Sequence, residues 1–172
     1  MPTENAAYRV ELLGRKHDRA GFSCGVQALD RYLQKQARQD AERRVAAVFV
    51  LTPDGRLVAG FYTLSAVTIR LRHLPAGVAR ELPRYPDIPG TLIGRLAVSL
   101  HHRGQGLGEF LLLDALRRAL RNSRSVAAFA AVVDAKDEGA ARFYLKYGFT
   151  PLADTRSRLF LPMATIENLF AK

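Results

Sequence analysis

Between an apolar run, "TLIGRLAVSL" (residues 91–100), and a segment with helical periodicity, "LGEFLLLDALRRALRN" (107–122), the chain reads "HHRGQG". A strand that turns through glycines into the first turn of a helix is therefore predicted, with Gly104, Gly106 and Gly108 at the junction. Glycine lets the backbone approach a ligand closely, and the first N–H groups of a helix have no partner within it, so such a junction offers donors to an anion. A nucleoside-triphosphate loop would need Gly-Lys-Ser or Gly-Lys-Thr, and neither follows here. A dinucleotide fold would want Gly-x-Gly-x-x-Gly after repeating strand and helix, and the preceding half of the chain is hairpin-like instead. A cradle for a pyrophosphate and a plain tight turn before a helix both remain open.

The remaining segments bound the fold. "YRVELL" alternates like a strand, and "VQALDRYLQKQARQDAERR" sets Leu29, Tyr32, Leu33, Gln36 and Ala37 on one helical face. "VAAVFVLT" and "LVAGFYTLSAVTIR" flank Asp54-Gly55, a hairpin signal. Residues 71–90 hold four of the eight prolines and are expected to form an ordered connecting loop. Strand, helix, strand, helix and strand follow in "TLIGRLAVSL", "LGEFLLLDALRRALRN", "VAAFAAVVDA", "DEGAARFYLKYG" and "RLFLPMA". The pattern implies an α/β (α+β) chain whose 172 residues form one domain, 1–172.

Composition narrows the partners. The single cysteine, Cys24, rules out an internal disulfide, and four scattered histidines give no metal-ligand spacing. The N-terminus lacks an apolar signal core and no run is long enough to span a bilayer, so a cytoplasmic location without membrane attachment is expected. A formal charge of +10, carried mostly by arginine, favours a polyanion over polyamines or basic peptides. A high-GC genome would also enrich arginine over lysine without any function.

Two motifs taken together are more specific. Arg103, Gly106 and Gly108 fit the Arg/Gln-x-x-Gly-x-Gly/Ala pattern with which acyl-CoA N-acyltransferases hold the coenzyme A pyrophosphate. "DEGAARFYLKYGF" (137–149) resembles the closing motif of the same superfamily, a helix carrying Phe-Tyr and ending at Gly-Phe. The chain resembles a GNAT-superfamily acetyltransferase over roughly residues 7–163, and "GFSCGVQALDRYL", "LPRYP", "GRLAVS" and "LFLPM" make it most similar to the GNAT toxins of bacterial toxin-antitoxin pairs.

That resemblance implies the GNAT fold, a mixed, mostly antiparallel sheet flanked by helices with strands splayed at the acetyl-CoA site. It implies acetyl-CoA as co-substrate without a metal, aminoacyl-tRNA as acceptor, a ribbon-helix-helix antitoxin and a homodimer as partners. It assigns the pantetheine arm to the backbone of Leu96, Ala97 and Val98, and the pyrophosphate to Arg103, Gly104, Gln105, Gly106, Leu107 and Gly108. Tyr144 becomes the proton donor to the departing thiolate, suited by a phenol that stays protonated at neutral pH. Phe143 and Asp137 stand on the coenzyme side. Asp137 occupies a position where the superfamily more often has Asn, and a carboxylate can cap a helix without donating an amide hydrogen bond.

Asp134, Glu138, His101 and His102 are candidate general bases, each more readily explained by a structural role. Asp134 and Glu138 read as a turn residue and a helix-dipole partner, and His101 and His102 as loop residues. Arg84, Arg95 and Arg142 are expected at the tRNA, with Arg43, Arg44 and Arg158 as further candidates against a solvated-surface alternative. "SRLFLPM" fits either a dimer interface or the monomer core. Two rival functions stay in view: a GNAT acting on a small amine or a protein N-terminus, and a non-catalytic basic nucleic-acid-binding module.

Overall fold

The structure is a computed structural model that describes residues 7–153 and 157–171. Strands are β1 (Arg9–Leu12), β2 (Ala47–Thr52), β3 (Gly60–Arg70), β4 (Asp87–Val98), β5 (Ala130–Asp134), β6 (Thr150–Pro151) and β7 (Arg158–Pro162). Helices are α1 (Gln27–Arg31), α2 (Ala37–Glu42), α3 (Ala76–Ala79), α4 (Leu107–Asn122), α5 (Glu138–Lys146) and α6 (Met163–Phe170), with a π-helical turn, Tyr32–Gln36, between α1 and α2. The strands form one sheet in the order β1-β2-β3-β4-β5-β7-β6. β4 and β5 run parallel, whereas β1–β2, β2–β3, β5–β7 and β6–β7 are antiparallel. This is the mixed, mostly antiparallel sheet expected above.

Residue packing divides the chain into two compact units, Met1–Ser65 with Arg95–Ala115, and Ala66–Gly94 with Leu116–Lys172. The first unit has a core of Phe22, Leu33, Val48, Val50 and Phe61 with Tyr32 stacked on Phe61. Burial of such side chains is the main term favouring folding. Tyr32, Leu33 and Ala37 are buried as the helical pattern predicts, but Gln36 is exposed. The π-helical turn explains the difference, because its wider turn advances the buried stripe from Tyr32 to Ala37, five residues on, and turns Gln36 outward. The β2–β3 hairpin closes through a longer loop than a two-residue turn. Asp54 organises it by accepting the N–H groups of Arg56 and Leu57, both at 2.9 Å, and these bonds hold its carboxyl below the usual range.

The second unit is built on Ile69, Leu74, Ile88, Val132 and Phe160. Residues 71–90 are not a loop throughout. They contain a 3₁₀ turn, Leu71–His73, then α3, and β4 begins at Asp87. Proline permits each step: Pro75 precedes the first turn of α3, and Pro89 lies in β4 where its carbonyl accepts Phe129 N–H at 2.8 Å. The C-terminal segment carries α6 beyond the expected strand. Pro162 ends β7 and precedes a helix that buries Met163 and Ile166 and sets Phe170 under the Arg117 guanidinium at 4.5 Å. β7 lies between β5 and β6, with Leu159, Phe160 and Leu161 all buried, so "SRLFLPM" serves the monomer core. No helix among the described residues is long and apolar enough to cross a membrane.

Candidate active site

In the first unit, the end of β4 and the turn after it are held from two sides. Arg95 N–H donates to the Thr63 hydroxyl at 3.1 Å and Ser99 N–H to the Ala59 carbonyl at 2.8 Å. Peptide groups alternate in direction along a strand, so Arg95, Ala97 and Ser99 address β3, and the N–H groups of Leu96 and Val98 point to the opposite edge. Ala97 fits this assignment: its carbonyl oxygen lies 2.8 Å from where a Gly60 Cβ would stand, which is why a glycine occupies that point of β3. The parallel pairing of β4 with β5 ends at Ile93 with Val133, and β4 continues five residues further to Val98. β5 itself ends at Asp134, so the backbone of Leu96 and Val98 lies beyond the register that pairs β4 with β5.

The glycine turn follows a 3₁₀ turn, Leu100–His102, in which the Ser99 hydroxyl accepts the His101 N–H at 3.2 Å and the Leu100 N–H donates to the Ser23 carbonyl at 2.8 Å. Gly104 and Gly106 adopt φ of +80° and +73°, a region that strains other residues, and a Cβ at either position would meet open space. The turn thus has left-handed backbone without an internal neighbour to require its glycines. Such a cradle fits an oxygen-rich ligand laid against the backbone. The Gly106 carbonyl accepts Phe110 N–H at 3.1 Å, starting α4, and Leu107 is buried, anchoring the helix start. Gln105 accepts the Tyr8 hydroxyl at 3.1 Å, and Arg103 Nη2 donates to the Cys24 carbonyl at 3.0 Å. Arg103 thereby ties the turn to residues 24–25 while remaining exposed. His102 rests edge-on against Tyr8 with its Nδ1 buried and unpaired, and His101 is exposed.

Arg95 projects onto the Tyr32 ring with its guanidinium carbon 3.6 Å from the centroid. An attraction of this kind is worth about 0.5–2 kcal/mol. Tyr32 in turn donates to Asp40 at 2.8 Å, and burial followed by that hydrogen bond pushes its phenol far up. Nothing in the local sequence announces this stack, since its members are far apart in the chain.

In the second unit, α5 presents Tyr144, 5% exposed, between Phe143 and Phe149, each edge-on to it. Its hydroxyl has no hydrogen-bond partner among the described residues. Burial, and secondarily the nearby Asp134 carboxylate, pushes its phenol up to about 12. Phe143 also contacts Tyr147, so it packs on the helix surface beside Tyr144. Asp137 caps α5, accepting Ala140 N–H at 2.8 Å. Replacing it with Ala is expected to cost about 1 kcal/mol of stability, whereas Asn should cost little. Thermal unfolding of the two variants checks this, and an Asn variant as unstable as Ala would show that the negative charge matters more than the cap. Asp134 pairs with Arg158 at 2.8 Å, which makes both structural rather than free for substrate. Arg142 and Glu138 are solvent-exposed and 4.0 Å apart, while Arg43, Arg44 and Arg84 are exposed. No group of three or more His, Cys, Asp or Glu side chains among the described residues could hold a metal ion.

A chain with a glycine turn between a strand and a helix, and a buried tyrosine on a following helix, has the form of an acyl-CoA-dependent transferase. Residues 44–151 match the family described as Acetyltransferase (GNAT) domain, and the chain belongs to that family. It is an acetyl-CoA-dependent N-acetyltransferase. It is 32% identical over 179 residues to the Sinorhizobium fredii (strain NBRC 101917 / NGR234) protein named "Probable toxin TacT", covering 98% of this chain and 99% of that one. It is 36% identical over 132 residues to the "tRNA-acetylating toxin" of Mycobacterium tuberculosis (strain ATCC 25618 / H37Rv), covering 77% and 78% of the two chains. Among solved structures it superposes on AtaT complexed with acetyl-methionyl-tRNAfMet with a TM-score of 0.88 at 30% identity, over 95% of this chain and 99% of the other. The same toxin has also been solved as AtaTR bound with acetyl-CoA, with a TM-score of 0.83 at 30% identity over 95% and 98%.

Proposed function

We propose that this protein transfers the acetyl group of acetyl-CoA to the α-amine of aminoacyl-tRNA and thereby acts as a toxin that blocks translation. The observation that carries this reading is the likeness, over nearly the whole chain, to a toxin captured with an acetylated aminoacyl-tRNA. The net charge of +10 supports it, because tRNA is a polyanion. On this reading residues 1–172 work as one catalytic domain in the cytoplasm, where charged tRNA is found.

The residue roles follow from chemistry. The N–H groups of the 103–108 turn and the start of α4, with Arg103 as a nearby charge, hold the pyrophosphate; Leu96, Ala97 and Val98 border the pantetheine arm, with Asp137 and Phe143 on the same side. As the amine attacks the thioester carbon, the N–C bond forms and the C–S bond breaks, and Tyr144 gives its proton to the departing sulfur before recovering one from water. The amine sheds its own proton to solvent. An α-amine has a pKa near ~7.7–8.0 against ~10.4 for lysine, so the reaction runs without a strong base. Arg84, Arg95 and Arg142 are assigned to the tRNA, and an antitoxin of ribbon-helix-helix type and a homodimer are the expected assemblies.

The test incubates the purified protein with radiolabelled acetyl-CoA and either aminoacylated tRNA or the same tRNA deacylated beforehand. Label should appear on charged tRNA alone, and induced expression should arrest growth. Acetylated peptides or polyamines with unlabelled charged tRNA would overturn the tRNA assignment and leave a GNAT of another specificity.

A further inference from the structure

A second feature lies in the unit formed by Ala66–Gly94 and Leu116–Lys172. A cavity of about 430 Å³ is lined by Arg70, Arg72, Arg84, Tyr85 and Asp87, within the range of small-ligand sites. One wall is the 3₁₀ turn after β3 and the other is the segment that leads into β4. Leu71 N–H donates to the Pro86 carbonyl at 2.9 Å and ties the two walls together. Pro83 and Pro86 stiffen the second wall on either side of Arg84 and Tyr85. The two walls are therefore linked through the backbone.

Its chemistry is that of a nucleic-acid surface. Arg70, Arg72 and Arg84 are exposed, and none forms an ion pair with the described residues. Asp87 is the single carboxylate on the lining, so the groove carries a local positive excess. Tyr85 is 66% exposed, leaving an aromatic ring available beside three guanidinium groups. Arginine forks match phosphate oxygens and an exposed aromatic face stacks on an unpaired base, a combination that duplex RNA, with its bases already stacked, cannot satisfy.

We propose that this groove binds an unpaired nucleotide of RNA, its base against Tyr85 and its flanking phosphates against Arg70, Arg72 and Arg84. The proposal rests on the tRNA reading for the source of that nucleotide, the single-stranded acceptor end, but the groove's preference for unpaired RNA stands on its own residues.

The experiment measures fluorescence anisotropy of a labelled single-stranded RNA hexanucleotide, and of a hairpin duplex, with the full-length protein across a salt series. Tyr85→Ala is expected to weaken single-strand binding roughly 5- to 100-fold, and Tyr85→Phe to restore it, because stacking needs the ring and not the hydroxyl. Combined Arg70→Ala, Arg72→Ala and Arg84→Ala should flatten the salt dependence by about 2 in log–log slope. These side chains are exposed, so acetyl-CoA thermal shifts should match wild type and report an intact fold. With charged tRNA as substrate, the variants should raise KM while kcat holds. Unchanged single-strand affinity in Tyr85→Ala, a stronger preference for the duplex, or displacement of the RNA by coenzyme A would each overturn the proposal. If charged tRNA is not acetylated but Tyr85-dependent single-strand binding persists, the tRNA reading fails and the groove stands.

Discussion

Replacement of Tyr144 by phenylalanine is expected to lower kcat for acetyl transfer by roughly 10² or more, the scale of a lost general acid, with acetyl-CoA affinity unchanged. The Tyr144 hydroxyl has no protein partner to lose among the described residues, and the ring keeps its edge contacts with Phe143 and Phe149. Rate and binding should therefore separate. Burial raises the phenol to about 12, so Tyr144 remains protonated across the whole range in which the protein works. A phenol so raised is a weaker acid, but the same exclusion of water raises the proton affinity of a thiolate leaving beside it, which restores the driving force. The rate should rise with pH as the substrate amine loses its proton near ~8 and show no loss from Tyr144 ionisation until far above that.

The pH dependence of stability has a definite sign. Below the unfolded phenol value of ~10 both states hold the proton, and the shift contributes nothing. Between ~10 and about 12 the folded state binds the proton more tightly, so stability falls as pH rises through that window. Comparing phenolate absorbance on alkaline titration of wild type and Tyr144→Phe isolates this group. Wild-type turnover in Tyr144→Phe would move the proton donor to water or to another side chain.

Gly106→Val should abolish acetyl-CoA binding. At φ +73° valine is strained by about 1–3 kcal/mol, and its methyl groups would fill the open space over the turn where the pyrophosphate is expected to lie. Wild type at a ligand concentration 100 times Kd should gain about 2.7 kcal/mol of stability, seen as a higher Tm, and the folded variant should gain none. Circular dichroism of the variant alone separates lost binding from lost fold, because the Gly106 carbonyl also starts α4. Wild-type affinity in a folded Gly106→Val protein would place the coenzyme elsewhere.

Much of this protein is written in short stretches of its chain. The alternation of "VAAVFVLT", the glycine spacing of "RGQGLG" and the helix "DEGAARFYLKYGF" predict strand, turn and helix from neighbouring residues, because hydrogen bonding and side-chain periodicity within an element are local. Asp137 reads as a cap for the same reason and is one. The prolines of 71–90 suggest a loop, and the sequence alone misses that Pro89 can enter β4, since that depends on which partner its carbonyl meets. The helix α6 was equally hidden, its short apolar stripe running on from a strand of similar composition.

By itself, then, the sequence determined the order of most elements, the glycine turn and the identity of the buried tyrosine helix. Only the tertiary structure decided how residues distant in the chain act on one another. It seats Arg95 on Tyr32, ties Arg103 to Cys24 and Tyr8 to Gln105, and turns Gln36 outward through a π-helical turn. It pairs Arg158 with Asp134 and leaves Arg70, Arg72 and Arg84 around Tyr85 without an ion pair among the described residues. The physical reason is that a side chain's charge and hydrogen-bonding capacity belong to its residue type, whereas whether they are spent inside the protein or kept for a ligand depends on neighbours that only folding brings within a few ångströms.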